Sequence, residues 1–431
     1  MKESRLPLSD SEIFNRNLLF VGLFFLLVTF FVISLPRSWS LYSLGSFLIV
    51  GFLYMLHNHK RSYSSFKSKW FLIFPPVIYF FVQLMSLISR QASVNIIEDR
   101  LMFILVPVVG YSILCTLLSH RNIKLVFYSY ILGISVVSTV LLLRFAYLRI
   151  FGLATEWDTL SFVGQSFTFL FSESYSLFEH PSYLSMKIVW VIAVIIITKD
   201  EIKLNRLVKI VTIFLLTVSL FFLASKAGIV LWISLIGSML YLYFRKLKAR
   251  KLLIVLVLPL FSIASFSLFN QIGRVDRFIG IIKEGLSAES IDWKNLDQRT
   301  REWHSALQLI KEKPVFGHGL AKVEERMVQE YLLNGWEEEA SLNLNAHNQF
   351  LEAQMTFGIA GTLSLLWMLL TPIIFRKRLR YPKLAVAFVL MVSFFLLFES
   401  MFNRQWGIMF FVLFYCLLVF PPKDDSTGPI E

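Results

Sequence analysis

The chain has 431 residues, of which 56% are hydrophobic and only 16% are charged, and its mean hydropathy is +0.65. Soluble domains are about 45–50% apolar and about 25% charged, so this composition excludes an ordinary soluble protein and favours a membrane protein. The formal net charge of +13 would suggest nucleic acid as a partner of a soluble protein. Here the basic residues lie between apolar runs, where membrane topology requires them, and we expect no nucleic-acid binding.

Apolar runs long enough to cross a bilayer recur along the chain, since a spanning helix needs about 20 mostly apolar residues. The first run is too long for a signal peptide and lacks a small-residue cleavage site, so it is expected to span the membrane. The sequence predicts an all-α membrane protein with about twelve spanning helices, at 17–35, 39–56, 70–89, 101–119, 124–146, 183–198, 207–224, 227–244, 252–270, 350–375, 384–398 and 405–420.

Basic residues alternate between successive loops. If the N-terminus is cytoplasmic, every second loop holds a cluster of Lys and Arg, as the positive-inside rule requires. These clusters lie at 60–69, 121–124, 199–206, 245–251 and 376–383. The alternation predicts that both termini are cytoplasmic. It divides the chain into spanning helices 1–9 (1–270), a large periplasmic loop (271–346), spanning helices 10–12 (347–420) and a polar cytoplasmic tail (421–431).

The large loop contains two predicted helices. Trp303 begins an apolar set at helical spacing that Pro314 stops, and a second helix is predicted over 320–333, ending near Gly335. The acidic run at 337–339 is expected to be solvated.

His347 lies where the large loop re-enters the membrane, next to Asn348. An imidazole can accept and donate a proton near pH 7, so His347 is a candidate general base. The alternative is a histidine that only caps a helix. Gly358 and Gly361 follow one turn apart, a spacing that lets another helix approach closely.

Two cations could contact an anion. Arg299 shares a helix face with Trp303, and its guanidinium suits a phosphate or diphosphate; the alternative is a solvated cation on an amphipathic helix. Lys226 lies between two apolar helices, where it either has a function or extends to the headgroups. Gly317 and Gly319 predict a tight turn with positive φ.

Weaker candidates lie in two other outer loops. His180 precedes Pro181 at the start of a helix, where a structural role is favoured. Glu399 and Arg404 are expected to pair and order the last outer turn. Cys115 and Cys416 lie in apolar runs, so we expect neither a disulfide scaffold nor a metal site.

Together these stretches resemble the O-antigen ligase and polymerase superfamily, bacterial membrane enzymes that act on undecaprenyl-diphosphate-linked glycans. The matching motifs are Arg299-x-x-x-Trp303, Pro314-x-x-Gly317-x-Gly319 and Ala346-His347-Asn348-x-x-Leu351 with Gly358 and Gly361.

The resemblance implies an inverting glycosyl transfer, without metal or cofactor, at the periplasmic face of the inner membrane. His347 would be catalytic, and Arg299, Arg301 and Lys226 would contact the diphosphate. Supporting roles would fall to Asn348, Trp303, Gly317, Gly319, Gly358 and Gly361. At the position of Lys226 the family usually has Arg, so the charge is kept and the bidentate fork is lost.

Three functions remain open from the sequence. A ligase would move a glycan from its undecaprenyl diphosphate donor to lipid A-core or another acceptor, and a polymerase would join carrier-linked repeat units. The single large loop favours the ligase. A transporter should show internal repeats and ionisable residues near the bilayer midplane, which we do not find in the sequence. Membrane lipid is an expected partner of each.

Overall fold

A computed structural model describes residues 10–88, 95–118, 120–151, 158–162, 165–169, 175–199, 201–244 and 298–420. Its helices are α1 (Asp10–Val32), α2 (Arg37–His57), α3 (His59–Ile88), α4 (Asn95–Glu98), α5 (Met102–Leu117), α6 (His120–Phe151), α7 (Pro181–Ile197), α8 (Arg206–Phe222), α9 (Lys226–Phe244), α10 (Gln298–Glu312), α11 (Val323–Leu333), α12 (Glu337–Ser341), α13 (Gln349–Ile374), α14 (Pro382–Leu396) and α15 (Gln405–Val419). Single turns of 3-10 helix span Asp99–Leu101, Arg376–Arg378 and Met401–Asn403.

Each predicted spanning helix except 252–270 coincides with a helix of the structure, and that segment lies outside the described residues. Among the described residues, five helical stretches are long and apolar enough to cross a membrane, namely Ser11–Val32, Arg37–His57, Asp99–Leu117, Arg121–Leu148 and Gln349–Ile374. Shorter apolar helices lie at Trp70–Ser86, Pro181–Ile197, Lys226–Met239, Pro382–Leu396 and Gln405–Val419. These helices fit a multi-pass membrane protein, while the count of twelve crossings stays a prediction.

Two segments differ from the expectation. Helix α3 begins at His59, so the basic residues at 60–69 lie on a helix and not in a loop; Lys, Arg and Ser do not stop a helix as Gly and Pro do. The second difference is an antiparallel hairpin of β1 (Asp158–Phe162) and β2 (Gln165–Phe169), with Asp158 opposite Phe169. Apart from this hairpin the described part of the chain is all-helical, as the sequence predicts.

Helix α15 lies at the centre of the bundle, and nearly all of its side chains are buried. Such a helix is apolar on every face. Its Phe414 ring lies 5.0 Å from Phe30 and 4.7 Å from Tyr130, and the rings of Trp190 and Phe388 follow at 5.7 and 5.6 Å. These aromatic residues belong to α1, α6, α7 and α14, so one cluster joins five helices.

Loops that the sequence predicts on one side of the membrane contact one another. Arg37 Nη2 lies 2.7 Å from Asp99 Oδ1, and the same guanidinium donates to Gln405. At the opposite end of the bundle, Asn58 Nδ2 donates to Asn15 Oδ1 at 2.6 Å. These contacts agree with the predicted alternation of loops. The side that faces the cytoplasm remains a prediction.

Helices α10, α11 and α12, here called the loop layer, pack on the first half of α13. Their shared core is small and separate from that of the bundle. It consists of Ala306, Leu309, Val323, Met327, Tyr331, Trp336, Ala346 and Met355. Both predicted loop helices are confirmed, and Gly335 follows α11 with φ +72°. The expectation of a solvated run at 337–339 is wrong for Glu339, which is buried and paired with Arg301.

Candidate functional site

A cavity of about 280 Å³, here called the cationic cavity, lies between the loop layer and the ends of several bundle helices. It is lined by His180, Pro181, Ser182, Leu223, Ala224, Ser225, Lys226, Ala227, Arg299, Trp303, Phe398 and Glu399. The fold thus brings the predicted residues Lys226, Arg299 and Trp303 to one place, although they come from separate segments.

Arg299 reaches the cavity from the first turn of α10, on the same face as Trp303, as predicted. Its Nη1 lies 3.7 Å from Glu302 Oε2 and its Nη2 lies 3.8 Å from Glu399 Oε1. Both distances are too long for hydrogen bonds. Nη1 is buried and has no hydrogen-bond partner among the described residues. A buried, unsatisfied guanidinium donor is suited to an anionic ligand.

Lys226 opens α9 and is exposed at the cavity wall. No carboxylate in the described part of the chain forms an ion pair with it. The preceding turn holds Ala224 at φ +49°, a region that costs a non-glycine residue free energy. Ser225 Oγ accepts a hydrogen bond from Gly228 N at 3.3 Å and caps α9. Lys226 therefore adds its charge to the positive end of a helix dipole.

His347 lies directly before Asn348, the residue that precedes α13, and does not itself cap the helix. Asn348 Oδ1 accepts hydrogen bonds from Phe350 N at 3.0 Å and Leu351 N at 3.2 Å, so Asn348 is the cap. His347 has φ +42°, and its backbone N donates to Asn345 Oδ1 at 2.8 Å. Strained backbone of this kind clusters at functional sites.

Glu399 joins His347 to the cationic cavity. Its Oε2 lies 3.5 Å from His347 Nδ1, and its Oε1 accepts a hydrogen bond from Ser182 Oγ at 2.9 Å. Arg299 Nη2 approaches the same Oε1. The expected pairing of Glu399 with Arg404 is absent from the described ion pairs, and Glu399 contacts three other segments instead. An acidic residue in an apolar outer turn was visible in the sequence, but its partners were not.

Two other predicted residues have mainly structural contacts. Arg301 pairs with the buried Glu339 and does not line the cationic cavity. His180 is the N-cap of α7, where its Nδ1 accepts from Ser182 N at 3.3 Å, in agreement with the structural role favoured by the sequence. His180 also lines the cavity.

The glycine motif forms the predicted tight turn, with φ +63° at Gly317 and +80° at Gly319. This turn docks on α13, because His318 N and Gly319 N donate to Met355 O and Thr356 O, each at 2.8 Å. In return, Ile359 N donates to Val315 O at 3.2 Å. The described contacts give these glycines a structural role.

Helix α13 is broken where the turn docks. Gly358 has φ +64° and ψ −155°, so the predicted helix 350–375 is not continuous. A Cβ on Gly358 would lie 2.0 Å from Val315 O, and one on Gly361 would lie 2.7 Å from Ala353 O. The close neighbour of Gly358 is thus an extended turn and not the second helix that the glycine spacing suggested.

Glu302 lies next to Arg299 with a fully buried side chain, and its Oε1 accepts from Gln298 Nε2 at 3.1 Å. Burial raises the pKa of Glu302 from 4.5 to about 8, although Arg299 acts in the opposite direction. At neutral pH the carboxyl group is therefore mostly protonated. It then does not offset the charge of Arg299, which leaves Glu399 as the carboxylate that faces this guanidinium among the described residues.

The raised pKa of Glu302 predicts a pH-dependent stability. The folded state keeps a proton that the unfolded state loses above its pKa of 4.5, so this contribution is complete below that pH and is lost as the pH rises through about 8. Glu302→Gln removes the titration and keeps the shape. We expect the free energy of unfolding of this variant in detergent to increase relative to that of the wild type by on the order of 2–4 kcal/mol as the pH rises from 4.5 to about 8. The prediction would be wrong if the melting temperatures of both proteins changed equally with pH.

Part of this chain is similar to known proteins. Residues 211–366 match the family described as O-antigen ligase, a region that contains Lys226, Arg299, His347 and Gly358. Over 157 residues the chain is 30% identical to an uncharacterized protein of Haemophilus influenzae, covering 33% of this chain and 37% of that protein. The chain thus spans little more than a third of that relative's length. Over this matched region the chain is similar to the O-antigen ligase family, and the resemblance indicated by the motifs is confirmed there.

Proposed function

We propose that this protein is an O-antigen ligase-type glycosyltransferase of the bacterial inner membrane. It moves a glycan from undecaprenyl diphosphate to a hydroxyl group of lipid A-core, or of a similar acceptor, at the periplasmic face. The observation that carries the proposal is the contact of His347 with Glu399, whose other oxygen faces Arg299 in the cationic cavity. A candidate base and a candidate anion site thus share one carboxylate.

In the proposed reaction, His347 Nε2 takes the proton of the acceptor hydroxyl as its oxygen attacks the anomeric carbon of the donor. The bond between that carbon and the diphosphate oxygen breaks with inversion, and the diphosphate leaves as an anion. Glu399 lies 3.5 Å from Nδ1, where its charge orients the imidazole and stabilises the imidazolium that forms, as a carboxylate does beside a catalytic histidine.

Glu399→Gln tests the positioning role of the carboxylate. The amide retains an oxygen for the hydrogen bond from Ser182 and loses the negative charge beside His347. We expect kcat to fall about tenfold, corresponding to roughly 1.4 kcal/mol of transition-state stabilisation, with little change in the KM for the donor. A selective rise in that KM would instead assign Glu399 to donor binding.

Arg299 and Lys226 are proposed to hold the diphosphate, with Trp303 packed beside them. The donor carries its own leaving group, so the protein needs to bind the anion and to remove one proton. Two cations at the cavity wall supply positive charge that a divalent metal supplies in other glycosyltransferases. We therefore propose a metal-independent reaction, for which activity in the presence of a chelator is the direct test.

Arg299 and Arg301 form a matched pair on one helix. Arg299→Ala should lower transfer by about 10–100-fold, as expected for losing a charge-assisted contact, and Arg299→Lys should restore part of it. Arg301→Ala should instead lower the melting temperature, because it leaves Glu339 buried without its partner. Equal losses of transfer in both alanine variants, at equal stability, would support the sequence-based prediction that Arg301 also contacts the diphosphate.

The function as a whole is tested by deleting the gene and separating the cell's glycolipids on a ladder gel. Loss of polymer from lipid A-core, with polymer accumulating on the carrier, is the result expected for a ligase. A single repeat unit on the core would identify a polymerase of the same superfamily. Unchanged glycans would contradict both.

A further inference from the structure

A second cavity, of about 270 Å³, is lined in part by Asn345, whose side chain accepts a hydrogen bond from His347 N. We call it the amide cavity. Its polar wall consists of Glu324, Asn343, Asn345, Glu352, Asn403 and Arg404. Apolar patches complete it, with Met327 and Met355 among them. Side-chain amides and carboxylates beside small apolar surfaces match the alternating hydroxyl and C–H groups of a sugar ring.

Glu352 is the buried anchor of the amide cavity. The residue is 5% exposed, and its Oε2 is buried without a hydrogen-bond partner among the described residues. The Asn403 side chain and the backbone of Ala346 hydrogen-bond to the carboxylate. A buried acceptor without a partner is costly, and a hydroxyl donor from a ligand would satisfy it.

Each cavity is lined by a residue that contacts His347. The imidazole of His347 contacts Glu399, which lines the cationic cavity. The backbone N of His347 donates to Asn345, which lines the amide cavity. The turn that follows Glu399 also contributes Asn403 and Arg404 to the amide cavity. His347 is thus connected to both cavities through residues that line them.

The cavities also differ in charge. The cationic cavity places Lys226 and Arg299 against a single carboxylate, that of Glu399. The amide cavity is instead lined by the carboxyl groups of Glu324 and Glu352 and by the guanidinium of Arg404, and Arg100, which does not line it, also attracts both carboxyl groups. A diphosphate favours the first environment, while a neutral or amine-bearing ligand favours the second.

We propose that the amide cavity binds the acceptor, and that the sugar it holds is a single neutral or amine-bearing ring rather than a phosphorylated or acidic one. This inference rests on the proposed function, because it assigns the second substrate of the same reaction. The volume is slightly below that typical of drug-sized ligand pockets, which suits one sugar ring inside the cavity.

Cysteine protection tests the assignment without requiring catalysis. Glu324→Cys places a thiol in the amide cavity, Ser182→Cys places one in the cationic cavity, and Leu333→Cys is an exposed control on the loop layer. The purified full-length variants are labelled with a maleimide, and the wild type gives the background from Cys115 and Cys416. The probes are undecaprenyl diphosphate and the saccharides released by mild acid from the parent strain's surface glycolipids.

The released saccharides should slow labelling of Glu324→Cys at least about fivefold, since an occupied site shields its thiol at concentrations above Kd. They should leave Leu333→Cys unchanged, and undecaprenyl diphosphate should protect only Ser182→Cys. Protection of Glu324→Cys by undecaprenyl diphosphate, or by neither probe, would overturn the inference.

A kinetic test uses the isosteric Glu352→Gln variant. Its KM for the acceptor should rise about tenfold, as for a lost charged hydrogen bond, with the donor KM unchanged. An unchanged acceptor KM would overturn the inference. If the wild type transfers no glycan, the proposed function fails by itself, and the protection pattern still decides whether this cavity binds saccharide.

Discussion

Replacing His347 with Gln should lower glycan transfer by about 10²–10⁴-fold, the usual effect of losing a general base. The amide cannot take the acceptor's proton, although it is similar in size and polarity. The histidine side chain is 25% exposed and lies 3.5 Å from Glu399. Because the amide can occupy the same space, the variant should fold and insert normally. The measurement is the transfer rate in membrane vesicles at a matched amount of protein.

His57→Gln is the matched control for His347. His57 is exposed at the opposite end of the bundle, where its Nε2 lies 3.0 Å from Ser11 Oγ. Its replacement should leave transfer unchanged. A His347→Gln variant that keeps transfer within about tenfold of the wild type would remove the histidine from the chemical step, because a general base contributes at least about a hundredfold.

Gly358→Ala should prevent the site from assembling. The new Cβ would lie 2.0 Å from Val315 O, and the backbone holds φ +64°. Neither the new Cβ nor the carbonyl group of Val315 can move away without breaking the contact between the glycine turn and α13. We expect the free energy of unfolding to decrease by more than about 4 kcal/mol, which is exceptional for one substitution. Glycan transfer should be lost at the same time. Melting in detergent and the yield of folded protein measure it.

Gly335→Ala isolates the cost of the backbone conformation. Gly335 has φ +72°, but a Cβ there would meet nothing within 4 Å. The substitution should therefore cost only about 1–2 kcal/mol, the penalty of a left-handed residue. If both substitutions lowered the free energy of unfolding equally, the positive φ would explain the effect at Gly358, and the close approach of the Val315 backbone would not.

Local features of the site were predictable from the sequence. Spacing places Arg299 and Trp303 on one face, and Gly317 and Gly319 adopt the positive φ that glycine favours, because both properties depend on a few neighbouring residues. The hairpin also has a local signal that was overlooked: residues 159–162 alternate polar and apolar side chains.

Contacts between distant segments were not predictable in the same way. Glu399 was expected to pair with Arg404, five residues away, but it contacts Ser182, Arg299 and His347. The burial of Glu339 likewise depends on how α12 lies against α10. Such pairings follow from tertiary packing, and neither composition nor periodicity carries that information.

The docked turn limits how this protein can be recombined with its relatives. Backbone hydrogen bonds join residues 315–319 to 355–359, and Gln354 Nε2 adds a bond to Pro314 O at 2.7 Å. The smallest portable module is therefore residues 314–361, which includes His347 and crosses the predicted border between loop and membrane. Chimeras joined at that border would separate two halves of one interface, whereas chimeras joined outside the module would transplant it whole.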